Sequence, residues 1–438
     1  MAQTKRPPFG GKIGKTLEDS IPWWPDLEVA PAGSPNIVVV LLDDVGFAQF
    51  GCYGSDIRTP TFDSLAAGGL RFSNYHTTAL CSPTRAALLT GRNHHSVGMA
   101  RIADRTSGFP GYNAEMSHED GMISEVLVRN GYSTFCVGKW HLTPPHEQQM
   151  GARRWRWPLG RGFERYYGFL GGETDQYYPD LVFDNHEVEP PQSPEEGYHL
   201  TQDMADKALL FINDARTAHP TKPFFLWFAP GACHAPHQAP ASFIETYRGQ
   251  FDKGWDAWRD EVFARQVKSG LMPSDTVLSE RPHWVPEWNS LSSDERRLYA
   301  RMMEVYAGFL THTDAQVGRI VDHLKTIDEF DNTIFVVMSD NGASQEGSQA
   351  GTMHQGRYFE RAPITLDQSI DLIDEIGETQ WFNNYPLGWA MAGNTPCKFY
   401  KQNTHGGGVR DPFVIVTALR ALTAALSLTA IATFARST

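Results

Sequence analysis

The chain has few cysteines, no long apolar run and a shortage of positive charge. Its five cysteines, Cys52, Cys81, Cys136, Cys233 and Cys397, are scattered and odd in number, and no two form a Cys-x-x-Cys pair. That spacing disfavours both a disulfide framework and a zinc site. No stretch reaches the roughly 20 apolar residues of a membrane-crossing helix, so no membrane span is expected. Residues Met1 to Lys15 are polar and rich in Lys, Pro and Gly. They lack an apolar segment of signal-peptide length, so the expected location is cytoplasmic. There are 38 basic residues against 51 acidic ones, a net charge of −13. An acidic surface argues against nucleic acid as a partner. It also means that a site for an anion must gather its own cations, from Arg, Lys or a metal ion.

At 438 residues, 41 % hydrophobic and 20 % charged, the composition suits a globular protein with a large core. Residues 1–35 read as an irregular arm, broken by Pro7, Pro8, Pro22, Pro25, Pro31 and Pro35. Trp23 and Trp24 are expected to pin the arm to the body. Asn36 to Leu42 and Thr333 to Ser339 are β-branched apolar runs, which predicts central parallel strands buried on both faces. Ser133 to Val137 and Phe224 to Ala229 predict two more. Helices are predicted over Pro60 to Ala67, Ser82 to Thr90, Gly121 to Asn130, Gln202 to Ala215 and Ser293 to Leu324. Strands alternating with helices imply an α/β fold: a large mixed, mostly parallel sheet with helices on both faces. In such folds ligands bind beyond the carboxyl ends of the strands. Two long stretches, Pro144 to Pro194 and Gly342 to Thr395, have no period.

Two acidic pairs fall at that position. Asp43-Asp44 follows the first strand and Asp340-Asn341 the later one. If the strands are neighbours, three carboxylates and an amide oxygen converge. Oxygen donors without His or Cys suit a hard cation, Ca²⁺ or Mg²⁺. Cys81 opens the run Cys81-Ser82-Pro83-Thr84-Arg85-Ala86-Ala87-Leu88-Leu89-Thr90-Gly91-Arg92. Pro83 can start a helix, which puts Cys81 near an N-terminus that favours negative charge. Arg85, one turn on, can reach back to residue 81. Gly138-Lys139-Trp140-His141-Leu142 follows another predicted strand, and alternation places Lys139 and His141 on one side. Phe228 to His237 ends a strand too and carries His234 and His237. The last motif is Asn394 to Gly408, with Lys398 and Lys401.

These motifs, in this order, resemble the formylglycine-dependent sulfatases of the alkaline phosphatase superfamily. The Cys-x-Pro-x-Arg segment, Gly-Lys-Trp-His and the two acidic pairs carry the likeness, which spans Asn36 to about Val416. The resemblance implies that a formylglycine-generating maturation enzyme oxidises Cys81 to an aldehyde, 3-oxoalanine, whose hydrate is the nucleophile. It implies a metal site of Asp43, Asp44, residue 81, Asp340 and Asn341, usually filled by Ca²⁺. Arg85 would hold the formylglycine, and Lys139 would contact it and sulfate. His141 would serve the breakdown step. A histidine of the 228–237 segment would touch sulfate or protonate the leaving group; His237 is preferred and His234 is the second choice. Lys401 would be the second catalytic lysine, with Lys398 as the alternative. Gly406 stands where the family has glutamate, a departure expected to loosen the turn that aims Lys401.

The implied activity is hydrolysis of sulfate monoesters of the arylsulfatase type. A phosphonate or phosphate ester hydrolase and a non-catalytic remnant are the alternatives. Three segments are expected: the arm 1–35, a catalytic domain 36–416 and an atypical tail 417–438. The tail stands where the family continues into a small C-terminal domain. Trp155, Trp157, Tyr166, Tyr167, Tyr177 and Tyr178 are expected either to stack on a substrate ring or to pack as a lid.

Overall fold

The computed structural model describes residues 8–25 and 29–417. Among the described residues nine strands form one sheet. In chain order they are β1 (Asn36–Leu42), β2 (Leu70–Phe72), β3 (Ser133–Lys139), β4 (Arg165–Phe169), β5 (Leu181–Phe183), β6 (His186–Val188), β7 (Phe224–Ala229), β8 (Thr333–Ser339) and β9 (Phe413–Val416). Their spatial order is β2-β9-β8-β1-β7-β3-β4-β5-β6. The five central strands, β8 to β4, run parallel, and antiparallel strands finish both edges. The expected mixed, mostly parallel α/β sheet is therefore present.

Alternation along the central strands sorts their side chains into two cores. Val38, Val40, Leu42, Leu226, Phe228, Phe335 and Val337 face one side with Phe62, Met204 and Phe309. Those partners belong to α1 (Pro60–Gly68), α4 (Leu200–Ala218) and the 34-residue α7 (Ser293–Thr326). Leu41, Cys136, Phe225, Trp227 and Met338 face the other side with Ala86, Leu89 and Ile123. These last three lie on α2 (Cys81–Thr90) and α3 (Ile123–Arg129). Helices thus cover both faces, as the pattern required.

Some expectations need correction. Trp24 is 85 % exposed, and Trp23 packs edge-on against Phe9 within the arm itself. The arm's short bridge between Lys12 and Ile21 explains this: the arm makes its own small contacts. Of the six loop aromatics, Trp157, Tyr166 and Tyr167 are core, while Trp155 and Tyr178 are exposed. The aperiodic Pro144–Pro194 stretch contains β4, β5 and β6, whose short runs are too brief to show a period. The expected tail beyond Thr417 lies outside the described residues.

Three buried histidines in this core are held neutral. His199 and His312 rings lie 4.4 Å apart, and His237 is enclosed by Tyr306 and Tyr385. Burial pushes His199 down to about 4 and His237 down to about 3, and drives His312 well below the ordinary value. Each takes up a proton more readily once unfolded, so the stability they confer is complete above the unfolded value and is lost as pH falls toward the folded one. Between pH 7 and pH 5 the loss should be about 2 kcal/mol for each of His199 and His237, with His312 acting in the same direction. Urea denaturation at the two pH values checks this; equal midpoints would contradict it.

Candidate active site

The site grows out of strand register. In β1 and β8, Leu42 pairs with Ser339, so the next residues, Asp43 and Asp340, emerge side by side. The Asp340 N–H donates to Leu42 O (3.0 Å), which ties its turn to the end of β1, and the Asp43 N–H donates to Ala232 O (2.8 Å), which ties its turn to the segment after β7. Asp44 then takes a left-handed backbone, φ 58°, that turns its side chain back toward its neighbours. Oxygens of Asp43, Asp44 and Asp340 lie within 4.8 Å of one another. Asn341 joins them, donating from Nδ2 to Asp44 Oδ1 (2.7 Å).

The chemistry of these donors fits a cation. Asp43 Oδ1, Asp340 Oδ1 and Asn341 Oδ1 are all buried without a hydrogen-bond partner. Buried oxygens are normally satisfied, and three orphans in one cluster of oxygen donors fit a hard divalent ion. The remaining carboxylate oxygens are taken by cationic side chains. Arg85 donates from Nε and Nη2 to Asp340 Oδ2 (2.9 and 2.7 Å), Lys139 to Asp43, and Lys401 to Asp44 (3.0 Å). Burial alone would raise Asp43, but Lys139, His234, Arg85 and Lys401 hold it well below the usual carboxylate range. Asp340 goes the other way, pushed up to about 6 by burial and then by Asp43.

Cys81 faces this cluster from the first residue of α2, with its backbone in the helix N-terminus. The helix begins two residues before Pro83, which still lies in the first turn, where its missing N–H costs nothing. The thiol is 2 % exposed, and burial pushes it up, while Lys139 and Lys401 pull it down. Its Sγ lies 3.2 Å from His141 Nδ1. His141 Nε2 lies 2.7 Å from Asp104 Oδ2. If Nε2–H serves Asp104, Nδ1 is left as an acceptor facing residue 81. Burial, followed by the Lys139 charge, keeps His141 below its ordinary value.

Lys139 and His141 do reach one side, but not by strand alternation. The strand ends at Lys139, and His141 turns in with φ 54°. At Gly138 the backbone is also left-handed, φ 110°, and a Cβ there would lie 1.9 Å from Ala229 O. Only glycine permits β3 and β7 to approach so closely. Arg85 stays within electrostatic reach of residue 81, and its guanidinium hydrogen bonds go to Asp340 and to Lys139 O (2.9 Å). Two acceptors there satisfy the fork better than one thiol.

The preference for His237 over His234 is not what the geometry favours. His237 Nδ1 is buried without a partner between two tyrosine rings. His234 instead places Nε2 3.7 Å from Asp44 and 3.5 Å from Glu346. Burial and Lys401 oppose its protonation, and Asp44 and Asp43 outweigh them, so its pKa is raised. Of the two lysines, Lys401 is buried in the cluster, while Lys398 is exposed and lies over the Phe399 ring. Gly406 does not loosen Lys401. The Lys401 N–H donates to Ala343 O (3.1 Å) and the Gln402 N–H to Ala79 O (2.9 Å), so the lysine is anchored outside that turn.

Sequence reasoning missed Asp104, Glu173 and Glu346. Asp104 partners His141, Glu173 lies 3.5 Å from His234, and Glu346 accepts from Lys401 (2.6 Å). All three lie in aperiodic polar stretches. Only Glu346 carried a signal, as the first acidic residue after Asp340.

Comparison with known proteins agrees with this arrangement. The sulfatase family profile matches residues 35–426. An uncharacterized sulfatase of Schizosaccharomyces pombe is 30 % identical over 412 residues, covering 88 % of this chain and 70 % of its own length. An arylsulfatase of Klebsiella aerogenes is 30 % identical over 400 residues, covering 87 % of this chain and 80 % of its own. The crystal structure of Ps i-CgsB in complex with a neocarrahexaose superposes with a TM-score of 0.56 at 25 % identity. That match covers 88 % of this chain and 66 % of the solved one, so this chain spans less than two thirds of it. The register-built carboxylate cluster, the match along most of the chain and the shared alkaline phosphatase-like fold lead to one conclusion: the chain belongs to the sulfatase family.

Proposed function

We propose that this chain hydrolyses sulfate monoesters of the aryl type, with residue 81 as the nucleophile. The observation that carries the reading is Cys81 Sγ, 3.2 Å from His141 Nδ1 and facing the Asp43, Asp44 and Asp340 cluster, where Asp43, Asp340 and Asn341 each keep an orphaned oxygen. Calcium, or magnesium, held by Asp43, Asp44, Asp340, Asn341 and residue 81 would polarise a sulfuryl oxygen, and maturation of Cys81 to formylglycine would supply the attacking hydroxyl.

The chain's own side chains do the rest. Arg85 fixes Asp340, whose free oxygen can accept a proton from residue 81. Lys139 and Lys401 meet the negative charge that builds on the sulfuryl oxygens. His234, half-buried and inclined to carry a proton, stands where it can donate from Nε2 to the departing alcohol. His141 takes a proton at Nδ1 while Asp104 holds its tautomer. Burial of the whole group excludes bulk water and strengthens each of these interactions.

Turnover of 4-nitrophenyl sulfate, 4-nitrophenyl phosphate and a phenylphosphonate ester, side by side, tests the reading. Sulfate is expected to be the best substrate, and mass spectrometry of the peptide containing residue 81 is expected to show the thiol converted to an aldehyde. Preference for the phosphonate would move the assignment to the ester hydrolases of the same superfamily. Matured protein without any turnover would leave only a binding role.

A further inference from the structure

Glu346 is a charge that the proposed reaction does not use. Its Oε2 lies 2.6 Å from Lys401 Nζ and 3.5 Å from His234 Nε2, the two cationic groups at the outer side of the cluster. Gln402 Nε2 donates to its Oε1 (2.9 Å), and Ser344 Oγ lies 3.2 Å from Oε2. The carboxylate is therefore held in place from several sides. Burial alone would raise its pKa, but Lys401 and then His234 bring it down to about 2, so it stays ionised.

The inner charges are already matched without it. Asp43, Asp44 and Asp340 face Arg85, Lys139 and Lys401, three against three. Glu346 shares both of its cationic neighbours with Asp44, Lys401 at 2.6 Å and His234 at 3.5 Å. A further fixed negative charge weakens any anion site, but not every anion equally. Repulsion scales with ligand charge, so a dianion loses about twice what a monoanion loses. A sulfate monoester carries one negative charge, and a phosphate monoester carries about two above pH 6.

Resting on the reading of this site as a sulfate ester hydrolase, we propose that Glu346 is a specificity-determining residue. Its fixed charge beside Lys401 and His234 makes the site prefer singly charged esters to doubly charged ones. This is discrimination by an unfavourable element placed against the competitor, and it weakens binding of the preferred substrate slightly.

The test compares wild type, Glu346→Gln and Glu346→Asp, all calcium-loaded, at about pH 8, where phosphate is doubly charged. In Glu346→Gln the ratio of kcat/KM for 4-nitrophenyl phosphate over 4-nitrophenyl sulfate should rise about threefold, half in free energy of the change expected for a dianion alone. In Glu346→Asp, which keeps the charge, the ratio should stay near the wild-type value. Calorimetric titration with inorganic phosphate should show about tenfold tighter binding to Glu346→Gln than to wild type. If both esters lose turnover in parallel with the ratio unmoved, and phosphate affinity is also unmoved, Glu346 only positions Lys401 and the proposal is overturned. If wild type turns over neither ester, the hydrolase reading fails by itself, and the phosphate titration still decides the role of the charge.

Discussion

Cys81→Ser should lower turnover of 4-nitrophenyl sulfate by about ten-thousand-fold while leaving the fold intact. The side chain sits at the first position of α2, 3.2 Å from His141 Nδ1. Serine is nearly the same size, suits a helix start and keeps a proton for His141. Packing should therefore hold, with a stability change within about 1 kcal/mol. What serine lacks is the chemistry, because the proposed nucleophile carries two hydroxyls on one carbon and serine offers one. The thermal midpoint and calcium affinity should stay near wild type, which separates lost chemistry from lost structure. A serine variant with turnover close to wild type would sink the proposal for residue 81.

Arg85→Met should have the largest effect on stability. The arginine is fully buried and donates two hydrogen bonds to Asp340 Oδ2. Removing it leaves a buried carboxylate short of its partner, a change that typically costs about 3–5 kcal/mol. Asp340 already sits near about 6, raised by burial and Asp43 and opposed by Arg85 and Lys139. Its pKa in the folded state is therefore above that of an unfolded carboxyl. Protonation stabilises the folded form, and that contribution fades as pH rises through the folded value. The deficit of the variant should accordingly shrink as pH falls from about 7.5 to about 5.5, and saturating calcium should also reduce it at the higher pH. Urea denaturation of wild type and variant, with and without calcium, reads all three effects. A loss under about 1 kcal/mol at neutral pH would contradict the buried ion pair as the support of Asp340.

The parts of this molecule that were legible beforehand share one physical property. β1, β7 and β8 are buried on both faces, so their apolar runs are continuous, and each ends where the polar site begins. Asp43-Asp44 and Asp340-Asn341 could be placed together because parallel neighbours present equivalent residues at the same edge. Where the chain leaves the sheet, that logic stops. His234 and His237 are three residues apart in one turn-rich segment, and only the path of that segment decides which one faces Asp44. Asp104, Glu173 and Glu346 come from stretches with no periodicity, so nothing marked the first two and only proximity to Asp340 marked Glu346. Helical spacing put Arg85 near residue 81 but could not name Asp340 and the Lys139 carbonyl as its hydrogen-bond acceptors, because spacing gives a position and not the side chain's choice among partners.

The seam between Asn36–Leu42 and Thr333–Ser339 joins stretches that lie far apart along the polypeptide. Closing so long a loop is entropically slow and depends on everything in between being made first. A nascent chain halted before Thr333 would contain Asp43, Asp44, Cys81, Lys139 and His234, yet it would lack the strand that sets them around an ion. The acidic cluster is thus assembled only once Thr333–Ser339 has been made.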